Sequence, residues 1–190
     1  TPARLIAGAV AGGVEVHDAA TALSGFKGLA RRFDVIGTSA RGVTVIDDYG
    51  HHPVEIAATL GSARQAVEAG GGKVIAVIQP HRYSRLKSLF EEFCACANLA
   101  DTVIVTEVYA AGEDPIEGIN RDALVQGMRD HGHKHVLPLA SEDALAETVA
   151  RVTAPGDFVI CLGAGSISKW AATLPKQLEP LLAAREKERA

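Results

Sequence analysis

The chain has 190 residues, of which 47% are hydrophobic and 22% are charged. This balance is typical of a globular protein and argues against a disordered, collagen-like or low-complexity chain. Because 19 Lys and Arg residues stand against 23 Asp and Glu residues, the overall charge favours neither nucleic acid nor anionic lipid as a partner. No uncharged apolar stretch approaches the ~20 residues that cross a bilayer. We therefore predict no nucleic-acid partner and no membrane insertion.

Three cysteines, Cys94, Cys96 and Cys161, are too few and too irregularly spaced for a disulfide framework or a zinc site. Cys94 and Cys96 lie among apolar neighbours in a helical pattern, so we expect both to be buried and unreactive. This cysteine usage favours a reducing, cytoplasmic compartment. No signal-peptide pattern opens the chain, and its start at Thr1 without methionine is typical of a piece cut from a longer protein.

Short β-branched runs predict five strands, over 43–46, 73–78, 102–106, 135–139 and 157–162. Between them, apolar residues at three- and four-residue spacing predict four helices, over 53–69, 83–99, 120–131 and 141–152. The strands are apolar throughout instead of alternating, as expected when helices cover both faces of a parallel sheet. The pattern therefore predicts an α/β fold with a mostly parallel sheet and helices on both faces.

The two ends of the chain do not join this alternation. Residues 2–13 are small and apolar, 18–23 are typical of a short helix, and 26–32 form a basic linker before a strand-like run over 33–36. We interpret residues 1–32 as the end of a preceding domain with its linker, and residues 33–190 as the α/β domain. At the other end, the tail from Pro175 predicts a charged helix that frays.

The densest polar cluster follows the first of the five strands, over residues 46–56. Ligands of open α/β sheets bind at the carboxyl ends of the strands, so Asp48, Tyr49 and His51 are candidates for a binding site. Two alternatives stay open from the residues alone: Asp48 as a helix cap, and His51 with His52 as a metal pair. The metal interpretation is the weaker one, because adjacent residues rarely chelate one ion and no third ligand follows at a recognisable spacing.

A second cluster, over residues 79–85, directly follows the next strand. Arg82 and Arg85 are three residues apart, so we expect both on one face of the first turn of the following helix. Guanidinium groups together with free backbone N–H groups favour an anion there, either a carboxylate or a phosphate. The alternative, two arginines on a solvated helix face, is weakened by their position at a strand's carboxyl end beside His81.

Further segments are less informative. The long loop over 107–116 has the length of a functional loop but offers no nucleophile or base. The turn over 163–168 is half of a dinucleotide-binding fingerprint and predicts only close packing or approach of a phosphate. His131, His133 and His135 alternate like residues on a strand edge, and we interpret them as polar surface residues. No P-loop, Gly-x-Ser-x-Gly elbow or HExxH motif is present in the sequence.

Five motifs taken together resemble the Mur ligase family, and they occur in that family's order between residues 26 and about 170. They are Gly28-Leu29-Ala30-Arg31-Arg32-Phe33, Asp47-Asp48-Tyr49-Gly50-His51-His52-Pro53, Gln79-Pro80-His81-Arg82-Tyr83-Ser84-Arg85, Glu107-Val108-Tyr109-Ala110-Ala111-Gly112-Glu113 and Gly163-Ala164-Gly165. Within the family the resemblance is closest to the ligases that join L-alanine to UDP-N-acetylmuramate.

The resemblance implies a three-domain, ATP-dependent ligase of bacterial peptidoglycan synthesis, in the cytoplasm. A substrate carboxylate takes the γ-phosphate of ATP, and the amine of L-alanine then displaces phosphate from the acyl phosphate. This chain resembles the Rossmann-like C-terminal domain, which closes over the ATP site and binds the incoming amino acid. Residues 1–32 would end the central ATPase domain, where the P-loop and the Mg²⁺ ligands are expected, so this chain alone should not catalyse ligation.

Roles for individual residues also follow from the resemblance. Asp48 matches the acid that accepts hydrogen bonds from the ATP ribose, Arg32 matches the arginine that reaches the phosphates, and Tyr49 is expected against the nucleotide. The pocket for the amino acid's carboxylate is expected at Arg82 and Arg85, with the two histidines His51 and His81 beside them. No catalytic or metal-binding residue is assigned.

Two alternatives remain open. A related ligase attaches a tripeptide to UDP-N-acetylmuramate during cell-wall recycling and shares the Asp-Asp-x-x-His-His-Pro stretch, although the motif over 79–85 favours the L-alanine ligase. From a different class, the chain is a stand-alone nucleotide-binding module without catalysis, an interpretation that rests on the missing P-loop.

Overall fold

The structure is a computed structural model that describes residues 10–18, 21, 30–68 and 70–189. Residues 1–30 and 31–190 belong to two separate compact units. The helix predicted over 18–23 and the linker predicted over 26–32 fall largely outside the described residues. The assignment of residues 1–32 to the end of a preceding domain therefore stays a prediction.

The described residues of the second unit form one sheet of six strands. The strands are β1 (Asp34–Thr38), β2 (Thr44–Asp48), β3 (Val74–Ile78), β4 (Thr102–Val105), β5 (Val136–Pro138) and β6 (Phe158–Leu162). Their order across the sheet is β1-β2-β6-β3-β4-β5. Only β1 is antiparallel to its neighbour, and all other neighbouring strands are parallel. The last strand of the chain thus lies in the middle of the sheet, between β2 and β3.

Helices cover both faces of the sheet. They are α1 (Pro53–Glu68), α2 (Tyr83–Ser88), α3 (Phe90–Ala95), α4 (Arg121–Asp130), α5 (Leu145–Val152) and α6 (Ile167–Arg189). The helices α1, α3 and α4 pack on one face, and α5 and α6 pack on the other. In the part of the chain that the structure describes, no helix is long and apolar enough to cross a membrane.

The central strand β3 shows why the apolar runs become buried strands. All five of its residues are fully buried. Val74, Ala76 and Ile78 belong to the core under α1, α3 and α4, while Ile75 and Val77 belong to the core under α5 and α6. Both faces of each central strand are therefore apolar. The predicted α/β fold, with a mostly parallel sheet and helices on both faces, is confirmed.

Three expectations about helices are wrong in detail. The single helix expected over 83–99 is two short helices, because the backbone leaves helical geometry at Leu89 (φ −124°, ψ 31°). The helix expected over 141–152 begins only at Leu145, after a 3₁₀ turn (Glu142–Ala144). The last helix begins at Ile167 and contains Pro175. One apolar stripe along it is buried against the sheet and consists of Ile167, Ala171, Leu174, Leu178 and Leu182.

Candidate functional site

The carboxyl ends of the parallel strands meet at one edge of the sheet, and the predicted site residues gather there. Hydrogen bonds from Gly163 N to Asp48 O (3.1 Å) and from Gln79 N to Leu162 O (2.9 Å) extend the pairing beyond β2, β6 and β3. The segment before β1 reaches the same edge, since Tyr49 N donates to Arg31 O (2.7 Å). This edge is the position at which open α/β sheets bind ligands.

Four aromatic rings form a row along this edge. Tyr49, His51, His81 and Tyr109 follow one another with centroid separations of 5.0, 5.6 and 5.4 Å. The first two contacts are edge-to-face and the last is stacked. The row connects the loops after β2, β3 and β4 and gives the edge a partly apolar floor with polar tips.

An open groove lies beside the two histidines of this row. We call it the His–Arg groove, and its lining residues are Tyr49, His51, His81, Arg82, Ser84, Arg85 and Ser88. It brings together all four residues that the sequence predicts for the carboxylate of an amino acid. Two guanidinium groups and two imidazoles around one open groove form a recognition surface for a small anion.

Arg85 is held against His81. Its Nη1 atom donates to His81 O (3.0 Å) and lies 3.2 Å from the ring Nδ1. We therefore assign the ring hydrogen of neutral His81 to Nε2, because Nδ1 accepts. Burial and the positive charge of Arg85 lower the pKa of His81, so the ring is neutral at pH 7. Nε and Nη2 of Arg85 have no partner within the described ranges.

In His51 the ring nitrogen that carries the hydrogen is the other one, Nδ1 instead of the Nε2 of His81. The Nδ1 atom of His51 lies 3.0 Å from the carbonyl oxygen of Tyr49. A carbonyl can only accept, so we assign a ring hydrogen to Nδ1, and in the neutral ring the lone pair is then on Nε2. The groove is thus flanked by one imidazole that accepts at Nε2 and by one, His81, that donates there.

Arg82 and the start of α2 differ from the prediction. Arg82 precedes α2 in a left-handed conformation (φ 73°), so only Arg85 lies in the first helical turn, although both line the groove. The N–H group of Ser84 was expected to be free for an external anion, but it donates to Oε2 of Glu113 (2.9 Å). The loop over 107–116 supplies this internal carboxylate, which no sequence signal identified.

A second groove lies near Tyr49, whose ring centroid is 5.7 Å from the guanidinium carbon of Arg32. We call it the Asp48 groove, and its lining residues are Arg32, Phe33, Asp48, Glu55, Ala58, Thr59 and Ser62. Nη1 of Arg32 is 3.9 Å from Oδ1 of Asp48, and its Nη2 is 3.1 Å from Oε1 of Glu55. Two of the residues predicted to contact ATP therefore line one groove, and the third, Tyr49, lies next to it.

Asp48 is not a helix cap. Its Oδ2 atom accepts a hydrogen bond from Phe33 N (2.8 Å), and Oδ1 accepts one from Gly50 N (2.7 Å). The acid at the start of α1 is Glu55, which accepts from His51 N (3.2 Å) and His52 N (3.3 Å). Burial acts to raise the pKa of Glu55, but these hydrogen bonds and Arg32 outweigh it and lower the pKa.

Arg31, which the sequence analysis left without a role, makes the more buried ion pair. Its Nε donates to Oδ2 of Asp47 (3.0 Å) and its Nη2 donates to Gly163 O (2.7 Å). The guanidinium also lies 5.0 Å from the ring centroid of Tyr49, a cation–π distance. Despite Arg31, burial raises the pKa of Asp47, and Oδ1 of Asp47 has no hydrogen-bond partner among the described residues.

The turn after β6 serves close packing. A Cβ atom at Gly165 would collide with the side chains of Gln79 and Tyr109. Gln79 bridges the turn, since Nε2 donates to Ser166 Oγ (3.0 Å) and Oε1 accepts from Ile167 N (3.1 Å). The glycine at this position therefore lets the end of the aromatic row approach the start of α6.

Two groups outside the site bear on the predictions. Cys94 and Cys96 are buried, as predicted, and burial raises the pKa of their thiols to about 11 and about 12. The interpretation of His133 as a surface residue is wrong, because it is buried and its Nε2 lies 3.0 Å from Ala100 O. In the described part of the chain, no cluster of three or more His, Cys, Asp or Glu residues is suited to a metal ion.

The comparison with protein families gives a match over most of the chain. The family model described as "Mur ligase, glutamate ligase domain" matches residues 31–165. The chain belongs to the Mur ligase family. The matched range begins where the second compact unit begins and includes every predicted site residue.

Relatives within the Mur ligase family are similar over nearly the whole chain. A UDP-N-acetylmuramate--L-alanine ligase from Gluconobacter oxydans is 59% identical over 179 residues, which cover 93% of this chain and 37% of that protein. One from Rhodospirillum rubrum is 63% identical over 154 residues, which cover 81% of this chain and 31% of that protein. The chain thus spans about a third of the length of these relatives.

Solved Mur ligases share the fold. UDP-N-acetylmuramate-alanine ligase MurC from Thermotoga maritima matches with a TM-score of 0.69 and 24% identity, over 97% of this chain and 36% of that chain. A murein peptide ligase from Psychrobacter arcticus matches with a TM-score of 0.62 and 24% identity, over 91% of this chain and 35% of that chain.

Proposed function

We propose that this chain is the C-terminal domain of an ATP-dependent ligase that joins L-alanine to UDP-N-acetylmuramate through an acyl phosphate. The L-alanine ligases that are about 60% identical to it support this proposal. The observation that carries it is the His–Arg groove, where two arginines and a neutral histidine face one open space. A small amino acid that must present a free amine is the substrate such a groove suits.

In this proposal the groove binds the carboxylate of L-alanine. Nε and Nη2 of Arg85 are the donors, with the guanidinium of Arg82 and Nε2–H of His81 completing the set. The Nε2 lone pair of His51 is available to accept a hydrogen bond from the ammonium group. Once the ammonium group has lost a proton to solvent, these residues orient the resulting amine for attack on the acyl phosphate, from which phosphate leaves. Such positioning is a main source of rate enhancement in a two-substrate step.

The Asp48 groove is proposed to bind the nucleotide. Each carboxylate oxygen of Asp48 already accepts one backbone N–H, and each can accept another hydrogen bond. The ribose hydroxyls of ATP would supply those bonds. Arg32 would turn from the exposed carboxylate of Glu55 to the phosphates, and Tyr49 would separate the nucleotide from the amino acid.

The remainder of the ligase lies outside the chain's described site. By resemblance to the family, we expect the Mg²⁺ ligands and the P-loop in a central domain, whose end would be residues 1–32. An N-terminal domain would bind UDP-N-acetylmuramate. We expect this enzyme in the bacterial cytoplasm, where ATP and its other substrates are available.

Phosphate release by the full-length protein tests the proposal. The assay contains ATP, Mg²⁺ and UDP-N-acetylmuramate, with either L-alanine or the recycling tripeptide as acceptor, and reactions without an acceptor serve as blanks. Turnover with L-alanine alone is the expected result. Turnover with the tripeptide alone would identify a recycling ligase, and no turnover with either acceptor would favour a non-catalytic nucleotide-binding module.

A further inference from the structure

The loop over 107–116 is bonded directly to the segment that carries His81 and Arg82. Tyr109 N donates to Pro80 O (2.8 Å), and Arg82 N donates to Tyr109 O (2.9 Å). These bonds form a short parallel bridge between His81 and Tyr109, beneath their stacked rings. The loop therefore holds the segment that carries His81 and Arg82, although none of residues 107–116 lines the His–Arg groove itself.

Glu113 lies where this loop turns back towards α2. Two consecutive left-handed residues, Ala111 (φ 51°) and Gly112 (φ 87°), make the turn, and Glu113 N donates to Ala110 O (3.0 Å). Its carboxylate then accepts from both donors of Ser84, the backbone N (2.9 Å) and Oγ (2.6 Å). These hydrogen bonds lower the pKa of Glu113, so the carboxylate is ionised at pH 7.

The start of α2 requires this support. Arg82 occupies the position before the helix, but its side chain makes no capping hydrogen bond and its φ of 73° is unfavourable for arginine. A backbone in this region persists only when neighbouring groups determine it. Within the described residues, the side chain that caps α2 is Glu113, from 29 residues further along the chain.

Glu113 makes its short contacts with Ser84 at the start of α2 and only a longer one with Arg82 in the groove. Its Oε1 atom is 3.7 Å from Nη1 of Arg82, which is longer than either bond to Ser84. The side chain of Arg82 remains 50% exposed, and Arg85 has no contact with Glu113 within the described ranges. Both guanidinium groups can therefore still receive a ligand.

We propose that Glu113 is a positioning residue for the acceptor amino acid: it fixes the first turn of α2 and thereby the orientation of Arg82 and Arg85 in the His–Arg groove. This inference rests on the proposed ligation of L-alanine. It gives the loop over 107–116 a role in the affinity for the acceptor and none in the binding of ATP.

Steady-state kinetics of the full-length enzyme test the proposal. We expect Glu113→Gln to raise KM for L-alanine about tenfold, which corresponds to one lost charge-assisted hydrogen bond, with kcat and KM for ATP unchanged. Asp114→Asn removes the same charge one residue away and is the matched control. In an Arg82→Ala background, Glu113→Gln should raise KM for L-alanine less, because one of the two arginines through which it acts is already absent.

Amide hydrogen exchange over residues 82–88 of the full-length protein is a second measurement that needs no turnover. Glu113→Gln should speed exchange there, and Asp114→Asn should not. A lower KM for L-alanine would overturn the proposal, since Glu113 would then be a competing occupant of the groove. Equal effects on both substrates, or unchanged exchange over 82–88, would also overturn it. A wild-type enzyme that does not use L-alanine would refute the proposed function. Amide hydrogen exchange over residues 82–88 would then be the remaining test of whether Glu113 fixes the first turn of α2.

Discussion

Replacing Arg31 by glutamine should destabilise the domain through the buried carboxylate that it leaves behind. The side chain of Asp47 is only 4% exposed, and Arg31, which is 30% exposed, is its one ion-pair partner within the described ranges. The substitution also removes the hydrogen bond from Arg31 to Gly163 O. Breaking a buried ion pair costs about 3 kcal/mol or more, and the partial exposure of Arg31 puts our expectation at about 2–3 kcal/mol at pH 8.

The loss should depend on pH, and its sign follows from the pKa of Asp47. Burial raises this pKa above the ordinary value even though Arg31 lowers it. Without Arg31 the pKa in the folded state rises further, while that of the unfolded chain stays near 3.9. A carboxyl with a raised folded pKa favours folding at low pH and opposes it as pH rises through that pKa. The free-energy deficit of Arg31→Gln should therefore be smaller at pH 5 than at pH 8.

Urea unfolding of the 190-residue chain measures this deficit, with the fluorescence of its single tryptophan, Trp170, as the signal. Arg32→Gln is the matched control. Arg32 is 43% exposed and pairs with the partly exposed Glu55, and such a pair contributes less than about 1 kcal/mol. Its longer contact with Asp48, 3.9 Å, leaves that carboxylate with two backbone hydrogen bonds when Arg32 is replaced. Adding Asp47→Asn to Arg31→Gln should restore much of the lost stability. Equal losses for the two arginine variants, or a deficit that does not change with pH, would refute the reasoning.

Three further substitutions test the site in the full-length enzyme or in the chain. Arg85→Ala should raise KM for L-alanine by the equivalent of about 2 kcal/mol and leave KM for ATP unchanged. Lys87 is exposed on the same helix, and Lys87→Ala should change neither KM. Equal changes in both KM values for Arg85→Ala would count against a role of Arg85 in binding the amino acid. Asp48→Asn should raise KM for ATP, and unchanged ATP kinetics would exclude the proposed contact with the ribose. It should also lower the free energy of unfolding by about 1–2 kcal/mol, because the new NH₂ group faces one of two backbone N–H donors. Gly165→Ala should lower the free energy of unfolding by about 1–3 kcal/mol, measured by thermal unfolding, because the added methyl group overlaps the ring of Tyr109. A variant as stable as the wild type would contradict the close packing of Gly165 against Tyr109.

The sequence predicts the sheet well because its signal is local. Five apolar β-branched runs became strands, and β3, buried on both faces, has no polar residue at all. The boundaries of helices depend on partners that are distant in sequence, and there the predictions were less accurate. Leu89 interrupts a helical pattern that looks continuous, and α6 begins at Ile167 because Gln79, from 88 residues away, accepts its N–H group.

The candidate site shows the same difference between features with a local sequence signal and features that depend on partners distant in sequence. The resemblance implied that His51, His81, Arg82 and Arg85 share a pocket, and they line one groove. From the residues alone, only their positions after parallel strands were predicted. Their roles stay predictions. Glu113 and Arg31 could not be found in this way, because their partners come from other loops and only the folded chain brings them together. Glu113 ends one of the family motifs, but that motif does not indicate its partner Ser84, and Arg31 stands beside the arginine to which the resemblance assigns a role.

The central position of β6 has a consequence for how this protein is made. Until residues 158–162 leave the ribosome, β2 and β3 have no strand between them, and the sheet exists as two unjoined halves. His51 belongs to one half and His81 to the other, so the groove between them forms only when the last strand inserts. Contacts between such distant segments slow folding. A nascent chain that stops before β6 would therefore carry every groove residue and still have no binding site.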